Sequence, residues 1–170
     1  MQQSKRTSFT KLAIPTQDGW FVASYSEKGL AELNFPSKQG ANTNASSNGV
    51  PAQIRRWHRM AAAALKHTLA GRATGALPPL DLSGTDFQRR VWNALRRINC
   101  GQTRSYGEIA KQIGKPKAVR AVGGACGANP IPVLIPCHRV LAANKKLGGF
   151  SGGLNWKRAL LTREGITPRG

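Results

Sequence analysis

Residues 129–140 read Asn-Pro-Ile-Pro-Val-Leu-Ile-Pro-Cys-His-Arg-Val. Ile131, Val133, Leu134 and Ile135 are apolar and call for burial, and they lead directly to the thiol, imidazole and guanidinium of Cys137, His138 and Arg139. A glycine-rich stretch from Leu147 to Gly153 follows. The pattern predicts a buried strand after Pro130 and Pro132 that delivers Cys137 to the floor of a pocket. Cys137 is then the candidate nucleophile.

A thiol reacts as its thiolate, and an ordinary cysteine (pKa about 8.5) is only slightly ionised near neutral pH. It needs a base. His138 is adjacent, but neighbours on a strand point to opposite faces, so it could act only through a bend or a water. After Glu108 the only acidic residue is Glu164. A carboxylate from the C-terminal half that orients His138 is therefore Glu164. The same three residues also fit a plainer arrangement, with a buried apolar cysteine, a satisfied core histidine and a solvent-exposed helix end.

Charge narrows the partner class. The chain has 26 Lys+Arg against 7 Asp+Glu, a net charge of +19. Residues 1–86 carry 10 basic and 5 acidic residues, whereas residues 87–170 carry 16 and 2. The second half has the footprint of a polyanion binder. Three cysteines without paired spacing argue against a disulfide framework and for a reducing compartment. The polar start of the chain does not read as a signal peptide, and no apolar run approaches the ~18 residues of a membrane span. No metal site and no cofactor are expected; His58 and His67 are the only histidines before His138.

Three strands are predicted over 9–14, 20–25 and 29–35, turning at Asp18-Gly19 and Lys28-Gly29. A polar loop covers 36–50. Pro51 opens a helix with Ile54, Trp57, Ala61, Leu65 and Leu69 on one face and Arg55, Arg56, Arg59 and Lys66 on the other, ended by Gly71. Residues 73–83 read as a linker, dividing an α/β domain (1–82) from a helical one (83–170). There, Thr85 with Gln88 and Ser105 with Glu108 form capping boxes. Phe87, Val91, Leu95 and Ile98 form the apolar face of the first helix. The second closes at Gly114. Pro116 suits the first position of a third helix over 118–125, which makes a helix-turn-helix. A last helix starts near Gly153 and stops at Glu164-Gly165.

Arg120 stands alone among Ala118, Val119, Ala121, Val122, Gly123, Gly124 and Ala125. Such a helix can approach a DNA groove closely and let one long cation fill the gap of a displaced base. Close helix packing in a core explains the small residues equally well. The glycine loop 148–153 lacks the Lys-Ser/Thr ending of a P-loop, which argues against nucleotide hydrolysis.

Ser105-Tyr106, P-K-A-V-R-A-V-G-G-A (116–125), N-P-I-P-V-L-I-P-C-H-R-V (129–140) and G-F-S-G-G-L-N-W-K-R-A-L-L-T-R-E-G (149–165) together resemble the methylated-DNA–protein-cysteine methyltransferases, over about residues 83–166. The resemblance implies an α/β (α+β) protein: a ribonuclease-H-like N-terminal domain with a small antiparallel sheet, and a winged-helix-like DNA-binding domain. It implies single-turnover transfer of an alkyl group from O6-alkylguanine, with O4-alkylthymine as a further substrate, to Cys137. His138 would act through a water, oriented by Glu164. Asn129 would brace the turn, and Tyr106 would bond the guanine and aid proton delivery. Val140, Ser151, Phe150 and Lys157 would complete the base pocket. Arg120 would replace the flipped nucleotide from the minor groove, with Ser105, Lys117, Ala121 and Gly123 also on the DNA. The implied partner is double-stranded DNA, bound by a monomer with cooperativity left open, in the cytoplasm or a eukaryotic nucleus. Phe150 stands where the family usually has tyrosine, and Cys126 where a larger side chain is common.

Overall fold

The computed structural model describes residues 8–41, 43–44 and 49–169. They form two compact units. One holds the residues up to Ala62 together with Leu77–Asp81; the other holds Ala63–Ala76 and everything from Leu82. The sequence boundary after residue 82 is therefore drawn differently: residues 63–76 group with the second unit and only 77–81 with the first.

The first unit is built on a three-stranded antiparallel sheet, β1 (Thr10–Thr16), β2 (Gly19–Ser26) and β3 (Gly29–Asn34), in that order. β2 is central, and its last six residues are all buried. The reason 77–81 belongs here is visible in its bonds. Pro79 has no N–H to give, but its carbonyl accepts from Leu30 N–H (2.8 Å), and Asp81 N–H donates to Leu30 O (2.8 Å). Ser26 Oγ donates to Asp81 Oδ2 (2.6 Å). Part of the predicted linker is thus an edge partner of β3. Gly29 permits it: a Cβ there would lie 2.2 Å from Pro79 O. Helix α1 (Ala52–Leu69) runs through both units, with Ile54, Trp57, Ala61, Leu65 and Leu69 buried and Arg55, Arg56, Arg59 and Lys66 exposed, as its periodicity predicts.

In the second unit both predicted capping boxes form. They start α2 (Asp86–Leu95) at Thr85 and α3 (Tyr106–Gln112) at Ser105. α4 (Val119–Gly127) follows α3 through a turn that contains Pro116, so the proline precedes the helix instead of opening it. α2 is fixed to α4 by the buried Trp92, whose Nε1–H donates to Ala125 O (2.8 Å). A short parallel pairing then does most of the positioning. β4 (Arg104–Ser105) lies beside β5 (Val140–Leu141). β4 leads straight into Tyr106, and β5 comes straight out of Cys137–Arg139, so one pairing sets both. α5 (Leu154–Arg163) ends the unit, capped by Glu164.

The buried strand expected before Cys137 does not form. Residues 131–136 make a turn closed by Ile135 N–H to Ile131 O (2.9 Å), with Val133 at φ 73°, and Cys137–Arg139 is a single 3-10 turn. Pro130, Pro132 and Pro136 remove the donors that a strand ladder requires. Burial was the correct part of the expectation: Ile131, Val133 and Ile135 are wholly inaccessible and Leu134 nearly so.

Replacing Trp92 by Phe keeps the ring packing but leaves the Ala125 carbonyl without its indole donor. Chemical denaturation should show a loss of about 1–3 kcal/mol; an unchanged midpoint would mean that this bond does not tie α2 to α4.

Candidate active site

Cys137 is held by one amide. Asn129 is buried; its Nδ2 donates to Ile135 O (2.8 Å) and to Cys137 Sγ (3.1 Å), while its Oδ1 accepts from Ile131 N–H (3.0 Å). The side chain supplies hydrogen bonds that the proline-rich backbone cannot. Burial pushes the Cys137 thiol up to about 11, although Asn129, the charge of Lys157 and the N–H groups of Cys137 and His138 pull the other way. At rest the group is a thiol.

The 3-10 turn supplies the bend that a strand would have denied His138. Its Nε2 lies 2.9 Å from Glu164 Oε1. Glu164 also accepts from Arg139 Nε (3.0 and 3.2 Å), Arg139 Nη2 (2.9 Å) and Gly101 N–H (3.1 Å). Arg139 Nη1 donates to Ile98 O (2.6 Å). The side chains of His138 and Glu164 are fully buried, and a carboxylate cut off from water has to be satisfied by protein donors. Burial by itself would raise the Glu164 pKa, but the hydrogen bonds and charges of His138 and Arg139 outweigh it and hold the group at about 2. Burial lowers His138, with Glu164 opposing, so the imidazole is neutral. An anion can only accept, so the ring proton sits on Nε2 and the lone pair on Nδ1. That Nδ1 is buried and has no hydrogen-bond partner among the described residues.

Lys157 is also fully buried. Its Nζ donates to Val140 O (2.6 Å) and Gly149 O (3.2 Å) and lies 5.9 Å from the Tyr106 ring centre. Burial pulls it down to about 8, against the opposing influence of the two nearby thiols, Cys137 and Cys126. Burial pushes the Tyr106 phenol up to about 12, so it remains a donor; its Oη reaches Gly149 O at 3.5 Å. Gly148, at φ 65°, makes room for it: a Cβ there would sit 3.0 Å from that Oη.

A cleft of about 550 Å³ opens above the thiol. It brings together Tyr106, Arg120, Gly123, Cys137, Phe150 and Ser151, all singled out in the sequence, and adds Val119, Cys126, Gly127 and Gly149. Asn129, His138 and Glu164 lie behind its floor. Val140 is buried and does not line it, its carbonyl engaged by Lys157. Ser105 is occupied as the N-cap of α3, and Lys117 and Ala121 are exposed outside the lining. The sequence reading missed Arg139 as the second holder of Glu164. The signal was present: a lone acidic residue facing a His-Arg pair must satisfy both. Among the described residues no group of three or more potential metal ligands occurs, and no helix is long and apolar enough to cross a membrane.

In the unfolded chain Glu164 takes up its proton near pH 4.5, but in the folded protein only near 2. The stability it contributes is complete above the first value and is lost as pH falls towards the second. Denaturation midpoints should therefore fall across that window. Glu164→Gln should flatten the profile and cost about 3–5 kcal/mol at neutral pH, because Arg139 is left without its anion. Parallel profiles for the two proteins would contradict this.

Residues 86–166 match the family described as "6-O-methylguanine DNA methyltransferase, DNA binding domain". A methylated-DNA–protein-cysteine methyltransferase of Mycobacterium bovis is 61% identical over 95 residues, 56% of this chain and 58% of the relative. The chain thus spans little more than half the length of that relative. One from Methanosarcina acetivorans is 51% identical over 139 residues, 82% of this chain and 87% of the relative. The crystal structure of Mycobacterium tuberculosis OGT in complex with DNA matches at TM-score 0.70 and 40% identity, covering 92% of this chain and 93% of that one. With Cys137, His138 and Glu164 all inside the stretch that the family model matches, and a relative 51% identical over 82% of the chain, the chain belongs to the methylated-DNA–protein-cysteine methyltransferase family.

Proposed function

We propose that this protein repairs DNA by moving an alkyl group from O6 of guanine onto its own Cys137, once per molecule. The observation that carries this reading is the buried Glu164–His138 pair, which ends on a bare Nδ1 one residue from a protonated thiol on the cleft floor. His138, through a water, takes the Sγ proton as the sulfur attacks the alkyl carbon. The S–C bond forms as the C–O6 bond breaks, and its electrons pass to the guanine ring. The ring gains a proton with the help of the Tyr106 phenol and leaves as guanine. Glu164 holds the imidazole in its Nε2–H form and steadies the charge it acquires. The thioether has no route back to the thiol, so each molecule is consumed.

The partner is duplex DNA, in keeping with the charge of the second half and with the relative solved on DNA. Residues 83–170 form the DNA-binding and acceptor domain. α4 enters the minor groove, where Lys117, Ala121, Gly123 and the N-terminal end of α3 at Ser105 meet the backbone, and Arg120 fills the place of a nucleotide rotated into the cleft. Phe150 and Ser151 wall the extruded base, and Lys157 holds their loop through Gly149. The protein acts as a monomer wherever the cell keeps its DNA.

Incubation with a duplex carrying O6-methylguanine should add one methyl group per chain at Cys137, read by intact mass and peptide mapping, and Cys137→Ala should add none. Binding of the lesion without any mass change would refute the transfer and leave a damage-recognition protein. Extruding a base costs a few kcal/mol. Arg120→Ala should accordingly slow transfer from duplex DNA tenfold or more while leaving transfer from the free O6-alkylguanine base nearly unaltered; equal losses on both would remove Arg120 from the extrusion step.

A further inference from the structure

A second cavity, of about 310 Å³, shares no lining residue with the first. Arg90, Asn93, Ala94 and Arg97 line it from α2 and the turn after it, and Gln112 and Ile113 line it from the end of α3. Arg90 and Asn93 are three residues apart on one face of α2, and Arg97 follows in the turn after it. All three are exposed. Neither guanidinium has an ion pair or hydrogen-bond partner among the described residues, and no acidic residue lines the cavity. Their neighbour Arg89, by contrast, is paired with Asp86. Two unpaired guanidiniums and two carboxamide side chains around one cavity suit a dianionic or bridging oxyanion, since planar forks of N–H donors match phosphate oxygens.

We propose that this cavity is a second phosphodiester-binding site, which grips the DNA backbone away from the acceptor cleft. It rests on DNA being the partner. α3 separates the two sites: Tyr106 at its start lines the acceptor cleft and Gln112 at its end lines the second, six residues or about 9 Å apart along the helix axis. The second site therefore contributes affinity for any duplex and takes no part in reading the lesion.

The test compares Arg90→Gln/Arg97→Gln with Arg56→Gln/Arg59→Gln, which removes the same charge from an exposed face of α1. Affinity for an undamaged duplex is measured across a salt series. Each phosphate contact contributes about 0.9 to the slope of log K against log salt. The first variant should lose about 1–2 from that slope and the second nearly nothing, with transfer from free O6-alkylguanine base unchanged in both. Equal slope changes in the two variants would overturn the site, reducing it to general charge. Titration with inorganic phosphate separates a free-anion site from a backbone site. Saturable phosphate binding that disappears in the first variant without any change of DNA slope would overturn the backbone assignment. Failure of alkyl transfer in the unsubstituted protein would refute the proposed repair activity while leaving the slope comparison readable.

Discussion

The arrangement around Cys137 depends on one buried carboxylate. Glu164 closes α5, yet its side chain is sealed from water and ringed by donors from His138, Arg139 and the Gly101 amide. His138 and Arg139 come from the 3-10 turn and Gly101 from the loop after α2, so this anion joins both to the end of α5. Alone it would be expensive to bury; with Arg139 it is neutralised, and with His138 it fixes a tautomer. Remove the charge and the guanidinium loses its partner, the imidazole loses its orientation, and the turn that presents Cys137 loses its outer support.

The N-terminal elements and the helices were legible because they rest on local physics. Periodicity placed the faces of α1, and Thr85/Gln88 and Ser105/Glu108 announced the starts of α2 and α3. Glu164 could be found by elimination, since no other acidic residue follows Glu108. What local patterning could not show was non-local pairing. Residues 73–83 read as a linker, but Pro79 within them needs only a carbonyl to accept from Leu30. The apolar run before Cys137 had the composition of a strand; whether three prolines break it depends on Asn129, whose amide replaces the missing backbone bonds. Arg139 was passed over because its role exists only once Glu164 has been brought to it.

The electrostatics of the site hold its reactivity in check. Cys137 sits high, His138 is neutral and Tyr106 keeps its proton, all chiefly through burial. None of these groups is charged at rest, while the Arg139–Glu164 ion pair lies beside them. A thiol kept protonated by burial is a poor target for stray electrophiles and oxidants, since both react with thiolate.

Lys157 clasps Val140 O on one side of the loop and Gly149 O on the other. The eight intervening residues are therefore closed at their base by a buried ammonium, whatever their own length. Because lengthening a closed loop costs little entropy, insertions or deletions around 143–146 leave the thiol and the phenol in register.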